Sequence, residues 1–195
     1  MKSVKRKIYT GFAIIAGVCM LSACGTEKKT SENKKSSKAT EETQENTKKS
    51  KDFVSEDGKV ELHFSDETWE CTVDTENTKT FESEDGVINV IFVEGEGIAQ
   101  TMVPDSTDAY QRMVNGGMAD LAFEVIGFER ADQGDEQIYK GTVHYTSETN
   151  PDKYVTHYGV YTADAGYTVT AVLFKEDTQL LEKVQETIYG IKVEK

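Results

Sequence analysis

The sequence predicts an α+β domain: an antiparallel β-sheet of about six or seven strands with helices packed on it. Three observations predict it. Runs rich in β-branched and aromatic residues recur from Val60 onward, several of them alternating apolar with polar. Turn dipeptides stand between these runs, at Asp57-Gly58, Asp85-Gly86 and Asn150-Pro151. Two further segments repeat apolar residues at helical rather than strand spacing.

The elements follow in order. Val60-Glu61-Leu62-His63-Phe64 alternates cleanly, and Ser55-Glu56-Asp57-Gly58 precedes it. The same four residue types recur at Ser83-Glu84-Asp85-Gly86, ahead of the apolar run Val87–Val93. Asp-Gly before a strand signals a tight hairpin, because glycine accepts positive φ. In Trp69-Glu70-Cys71-Thr72-Val73 the alternation places Cys71 on the face of Trp69 and Val73, as a small hydrophobe. A helix is expected from Ser106 or Thr107, with Tyr110, Met113, Val114, Gly117, Met118 and Leu121 on one face. Gly116 and Gly117 weaken its interior by about 1 kcal/mol each relative to alanine, so they either permit close packing or break it. Tyr139–Ser147, Tyr154–Thr162 and Tyr167–Phe174 read as a three-stranded meander, turning at Asn150-Pro151-Asp152-Lys153 and Ala163-Asp164-Ala165-Gly166. If Tyr145 pairs with Thr156, one face collects Tyr139, Val143, Tyr145, Tyr158, Val160, Val169, Ala171 and Leu173. Ile138, Val155, Tyr161, Val172 and Phe174 then lie opposite, so both faces need cover. A second helix over Thr178–Tyr189, closed by Gly190, carries the stripe Leu180, Leu181, Val184 and Ile188.

Ahead of this domain stand two segments of different composition. Lys2, Lys5, Arg6 and Lys7 precede the mainly apolar run Ile8–Met20, which falls short of the roughly 20 residues that span a bilayer. Leu21-Ser22-Ala23-Cys24 follows, and it resembles the lipobox of bacterial lipoproteins. The resemblance implies a signal peptide over 1–23, cleavage before Cys24, and a diacylglycerol on the Cys24 thiol. Fatty acylation (palmitate-type) would hold the mature chain to a membrane on the extracytoplasmic side without spanning it. Residues 24–51 read as the lipidated cysteine and a polar, disordered linker, with Ala39 the only apolar residue after Cys24. Its 27 residues from Gly25 to Lys51 would reach about 30 Å as a flexible coil. Residues 52–195 form the single α+β domain.

Charge divides the same way. Residues 25–51 hold eight Lys and five Glu, whereas 52–195 hold ten Lys and Arg against thirty Asp and Glu, a net charge of −20. Such a domain excludes nucleic acid, which needs cations at its phosphates. It leaves basic proteins or peptides of the cell envelope as electrostatically permitted partners.

Catalytic patterns are scarce. The sequence has no HExxH, CxxC, Gly-rich phosphate loop or Gly-x-Ser-x-Gly elbow, and no cofactor is implied. His144 and His157 flank the Asn150-Pro151 turn. Pairing of Tyr145 with Thr156 would make them cross-strand neighbours, a start for a zinc or copper site in a metal-dependent enzyme. A register one residue away would place them on opposite faces, and no third ligand is identifiable. The 94–105 connection is long enough to bind something, in a cleft against the first helix or through Glu94 and Glu96 as weak calcium ligands.

The order of elements resembles the PsbP-like fold of the photosystem extrinsic proteins and of many secreted bacterial lipoproteins. The resemblance covers about 53–193. It rests on Glu56-Asp57-Gly58-Lys59 with Val60–Phe64, on Trp69 shortly after, on the mid-chain helix and meander, and on the closing helix with Ile191-Lys192-Val193. Members often carry a proline shortly before that tryptophan, where this chain has Ser65-Asp66-Glu67-Thr68. It implies an α/β/α sandwich, and since that fold hosts non-catalytic proteins of diverse roles, it carries over no functional residue. The expectation is a membrane-anchored extracytoplasmic lipoprotein with a non-enzymatic binding or accessory role. The alternatives are a metal-dependent enzyme or a small-ligand domain using the His144/His157 face or the 94–105 loop.

Overall fold

The computed structural model describes residues 50–66, 68–116 and 122–194. Cys24, the signal segment, nearly all of the linker, and Gly117, Met118 and Leu121 of the expected helical face lie outside the described residues.

Two sheets are present. The smaller joins β1 (Lys51–Val54), β2 (Val60–Phe64) and β10 (Lys192–Val193) in the order β1-β2-β10. The larger has seven antiparallel strands: β3 (Glu70–Asp74), β4 (Thr78–Ser83), β5 (Gly86–Glu94), β6 (Phe123–Gln133), β7 (Glu136–Tyr145), β8 (Tyr154–Tyr161) and β9 (Ala165–Leu173). Their order is β3-β4-β5-β9-β8-β7-β6. On one face lie α3 (Thr178–Tyr189) and the small sheet, and on the other lie α1 (Ile98–Met102) and α2 (Thr107–Asn115). This is the predicted α+β architecture, with cover on both faces.

The two Asp-Gly sites both make hairpins, for different reasons. Gly58 has φ +73°, the left-handed backbone that glycine adopts without strain. Gly86 does not need that conformation. Any Cβ there would lie 2.2 Å from the Val172 carbonyl oxygen, so glycine is required by the close approach of β9. At Trp69–Val73 the alternation breaks. A bulge between Cys71 and Val73 leaves Trp69 buried and Cys71 half-buried against the core, but turns Val73 out, 38% exposed.

α2 begins where the sequence placed it, with the Ser106 hydroxyl accepting from the Ala109 N–H. It ends at Gly116, whose φ of +49° is a left-handed cap, so the glycine breaks the helix rather than packing it. α3 matches its expected span. The Asp177 carboxylate caps it by accepting from Gln179 and Leu180 N–H, and Leu181, Val184 and Ile188 are buried. Each of those three side chains contributes about 2 kcal/mol by leaving water. They join Phe64, Trp69, Phe81 and Leu173 in one core; the second core, under α1 and α2, is built on Tyr110, Tyr139, Val143 and Tyr161.

The meander register differs from expectation. The turn is at Ser147–Asn150, closed by Asn150 N–H to the Ser147 carbonyl, not at 150–153. The longer connection places Tyr145 across from Lys153 and pairs His144 with Tyr154 and Val143 with Val155. Moving β8 by an odd number of residues exchanges its faces. Val155, Tyr161 and Val172 therefore join Tyr139, Val143 and Tyr145 under α1 and α2. Tyr158, Val169, Ala171 and Leu173 face α3 and the small sheet. The meander also has a fourth strand, β6, turning into β7 at Gly134-Asp135.

Candidate functional site

The connection after β5 is more ordered than its sequence suggested. Gly95 and Gly97 N–H groups donate to the Asp164 and Ala163 carbonyls, at 2.8 and 2.9 Å, which fastens it to the β8–β9 turn. It then winds into α1, and the chain runs through Pro104 into α2. Between the two short helices is a cleft of about 280 Å³. Met102, Val103, Pro104 and Met113 supply apolar lining, while Gln100, Asp105 and Arg112 supply polar groups. The cleft between the 94–105 segment and the first helix therefore exists, although no aromatic ring lines it. It lies at the small end of the range that holds small molecules. Glu94 and Glu96 are exposed.

α2 is docked beside this cleft by Tyr110, which is fully buried. Its ring stacks on Phe128 at 5.3 Å between centroids and lies over Gly141, where a Cβ would come within 2.3 Å of the ring. Its hydroxyl meets His157 Nδ1 at 2.8 Å. Burial raises the Tyr110 phenol far above its ordinary range and lowers the His157 imidazole to about 4. Near neutral pH both are therefore uncharged, and one hydrogen bond joins the phenol oxygen to Nδ1 of a neutral ring. The half-buried His157 is a docking group in the α1/α2 core.

His144 lies on the opposite face. Its ring stacks on Tyr154 at 4.9 Å, its Nδ1 is 3.6 Å from Glu124 Oε1, and its Nε2 is 3.4 Å from Glu176 Oε1. The proposed His144/His157 pair is thus overturned: His157 sits across from Gly141, and His144 across from Tyr154. Two imidazoles on opposite faces of a sheet cannot share an ion. Glu124 and Glu176 address different nitrogens of one ring, so they do not converge on one ion either. No cluster of three or more His, Cys, Asp or Glu side chains suited to a metal occurs among the described residues.

A second cavity, of about 260 Å³, surrounds a group that sequence reasoning missed. Lys79 lies on the core face of β4, paired with Val90, and its side chain is 1% exposed. Its ammonium is 2.7 Å from Asp74 Oδ1 and 3.5 Å from Asp57 Oδ2, and it also donates to the Thr75 carbonyl. Burial works against the Lys79 charge, but the hydrogen bond and charge of Asp74, with the charge of Asp57, outweigh it and hold the ammonium above its ordinary pKa. The Ser55 hydroxyl and Lys59 N–H donate to Asp57 and lower its carboxyl. Glu56 N–H donates to Asp74 Oδ2 at 2.9 Å. The cluster clamps the β1–β2 turn to the β3–β4 hairpin. A lysine between threonines in a strand reads as solvent-facing, and only the approach of the Asp57-Gly58 turn shows otherwise.

No known family profile and no curated protein matches the sequence. Solved structures do. Cyanobacterial PsbP (CyanoP) from Synechocystis superposes with a TM-score of 0.55 at 14% identity, over 80% of this chain and 98% of that one. The fold is PsbP-like. The Ran-binding protein Mog1p of Saccharomyces cerevisiae is more distant, with a TM-score of 0.44 at 13% identity over 75% of this chain and 96% of its own. A protein from Bacteroides thetaiotaomicron gives 0.41 at 14% identity, over 76% of this chain and 49% of its own. At these identities the PsbP likeness concerns architecture and carries no residue's role. Shortly before Trp69, the Asp66 carboxylate accepts from the Thr68 N–H and hydroxyl.

Proposed function

We propose that the chain is a membrane-anchored extracytoplasmic lipoprotein whose folded part has a non-enzymatic binding or accessory role. The observation that carries the reading is the order of segments along the chain. A basic and apolar leader ends in Leu21-Ser22-Ala23-Cys24, a polar tract follows, and β1 begins at Lys51 where that tract ends. The leader supplies export, the Cys24 thiol the point of acylation, and the tract a spacer that sets the domain off from the lipid. The acidic charge of residues 52–195 disfavours lying on anionic lipid and favours basic partners in the envelope.

Replacing Cys24 with alanine should move the chain from the membrane fraction to the soluble one. Mass spectrometry of the wild-type amino terminus should show a diacylated cysteine. A variant that stays membrane-bound with residues 1–23 still attached would refute the lipid anchor in favour of an uncleaved helix.

The α1/α2 cleft favours a second reading, small-ligand binding, because Met102, Val103 and Met113 line one concavity together with Arg112 and Asp105. A ligand seated there would raise the melting temperature of wild type and not of an Ala109→Trp variant that fills the space.

A further inference from the structure

The seven-stranded sheet ends in two unlike edges. β3 is five residues long and bulged. β6 is eleven residues long, pairs with β7 along one side, and has no strand on its outer side among the described residues. A strand edge displays main-chain N–H and C=O groups to any extended chain that approaches. On β6 the side chains are open as well. Ile126 is 47% exposed, Gly127 has nothing within 4 Å of its Cβ position, and Glu129 to Gln133 are all exposed.

We infer that the free edge of β6 is a docking site for an extended, lysine- or arginine-bearing strand of a separate envelope protein, added to the sheet by main-chain hydrogen bonding.

Charge selects this occupant. Glu124, Glu129 and Asp132 stand on the strand with one cation, Arg130, whose guanidinium is turned to Asp132 Oδ1 at 3.3 Å and Gln137 Oε1 at 3.4 Å. Lys140, the neighbour of Glu129 across the ladder, lies over the Tyr189 ring at 4.4 Å. The edge is therefore net acidic on a domain of net charge −20. A second copy would bring an equally acidic edge and domain, which net like-charge repulsion disfavours. The chain's own residues 25–49 are basic, but with Ala39 as their only apolar residue they offer almost no apolar side chains to the edge. An incoming strand that alternates basic with β-branched residues makes hydrogen bonds along the edge, sets its cations on the face of Glu129, and sets its apolar side chains on the opposite face, which Phe128 shares. The bulge between Val125 and Gly127 limits regular pairing to the seven residues from Gly127 to Gln133.

The inference deepens the binding reading above and rests on it in placing the partner outside the cytosol. The test reads β6 alone, so its failure leaves the Cys24 anchor standing, and failure of the anchor leaves the edge intact. The full chain in detergent is titrated with a capped nonapeptide alternating lysine and valine, and amide hydrogen exchange is followed by mass spectrometry. The expected result is at least fivefold slower exchange within 127–133, weakened by salt and abolished in a Glu129→Lys variant of unchanged melting temperature. An alternately N-methylated peptide of the same side chains, and a glutamate–valine peptide, should both give no protection. Protection by the N-methylated peptide, protection elsewhere without β6, or no protection at millimolar peptide would overturn the proposal. So would dimerisation of the peptide-free chain through β6 or protection of β6 by residues 25–49.

Discussion

Acidification should weaken this fold through His157 in a pH window that the structure specifies. Burial holds the His157 imidazole at about 4, against 6.5 for an ordinary histidine. The folded state therefore keeps the ring neutral where the unfolded chain takes up a proton. Above pH 6.5 both states are neutral and stability is indifferent to this group. As pH falls from 6.5 to 4, unfolding gains a proton and stability is lost, and below 4 the loss is complete. The gap between 6.5 and about 4 corresponds to about 3 kcal/mol. Because the residue is half-buried rather than sealed, solvent screening reduces this to about 2 kcal/mol. For a domain of this length, that is about 4–8 °C of melting temperature. The assay is thermal unfolding by circular dichroism between pH 4 and 7.5, for wild type and for His157→Gln, which cannot titrate but can accept from the Tyr110 hydroxyl. Other titrating groups cancel in the difference between the two profiles. The variant should lose less stability across the window by that amount. Parallel profiles would refute the reasoning, because they would mean that His157 is free to ionise in the fold.

Three further outcomes follow from the packing. Lys79→Met should destabilise by about 3 kcal/mol, read from urea unfolding, because Asp74 and Asp57 lose the cation they enclose; adding Asp74→Asn should recover part of the loss. Gly141→Ala should cost about 1–3 kcal/mol in the same assay, since its methyl meets the Tyr110 ring, and Tyr110→Ala should remove most of the additional penalty. Cys71 should react with iodoacetamide at pH 8 several-fold more slowly than an unstructured cysteine, because burial first, and the charge of Asp74 second, raise its thiol; equal rates would show the thiol to be open.

Local chemistry decides what a local stretch can decide. The alternation of Val60–Phe64, the apolar stripe of α3, and the Ser106 start of α2 are short-range properties, and each was legible in the sequence. β6 was not, because the bulge at Ile126 interrupts its period of two; the turn at Gly134-Asp135 was the available signal. α1 was hidden in a segment rich in glycine and too short to show a helical period. The candidate sites depend on pairing between distant residues. His144 and His157 change from neighbours to opposite faces on the register of one hairpin, and that register follows from where the chain turns within 146–153. The Lys79 clamp needs a turn more than twenty residues upstream to arrive over β4.

The sequence by itself determined the α+β class, the cover on both faces of the sheet, the acidity of the domain, and the lipobox-like segment at Cys24, because composition, period and motif are carried by neighbouring residues. Only the tertiary structure decided which strands stand at the edges, which face of the sheet each histidine takes, and which lysine is enclosed by acids. Those depend on strand order and register, which are set by long-range packing of one face against another and by loop lengths whose turns no single dipeptide dictates.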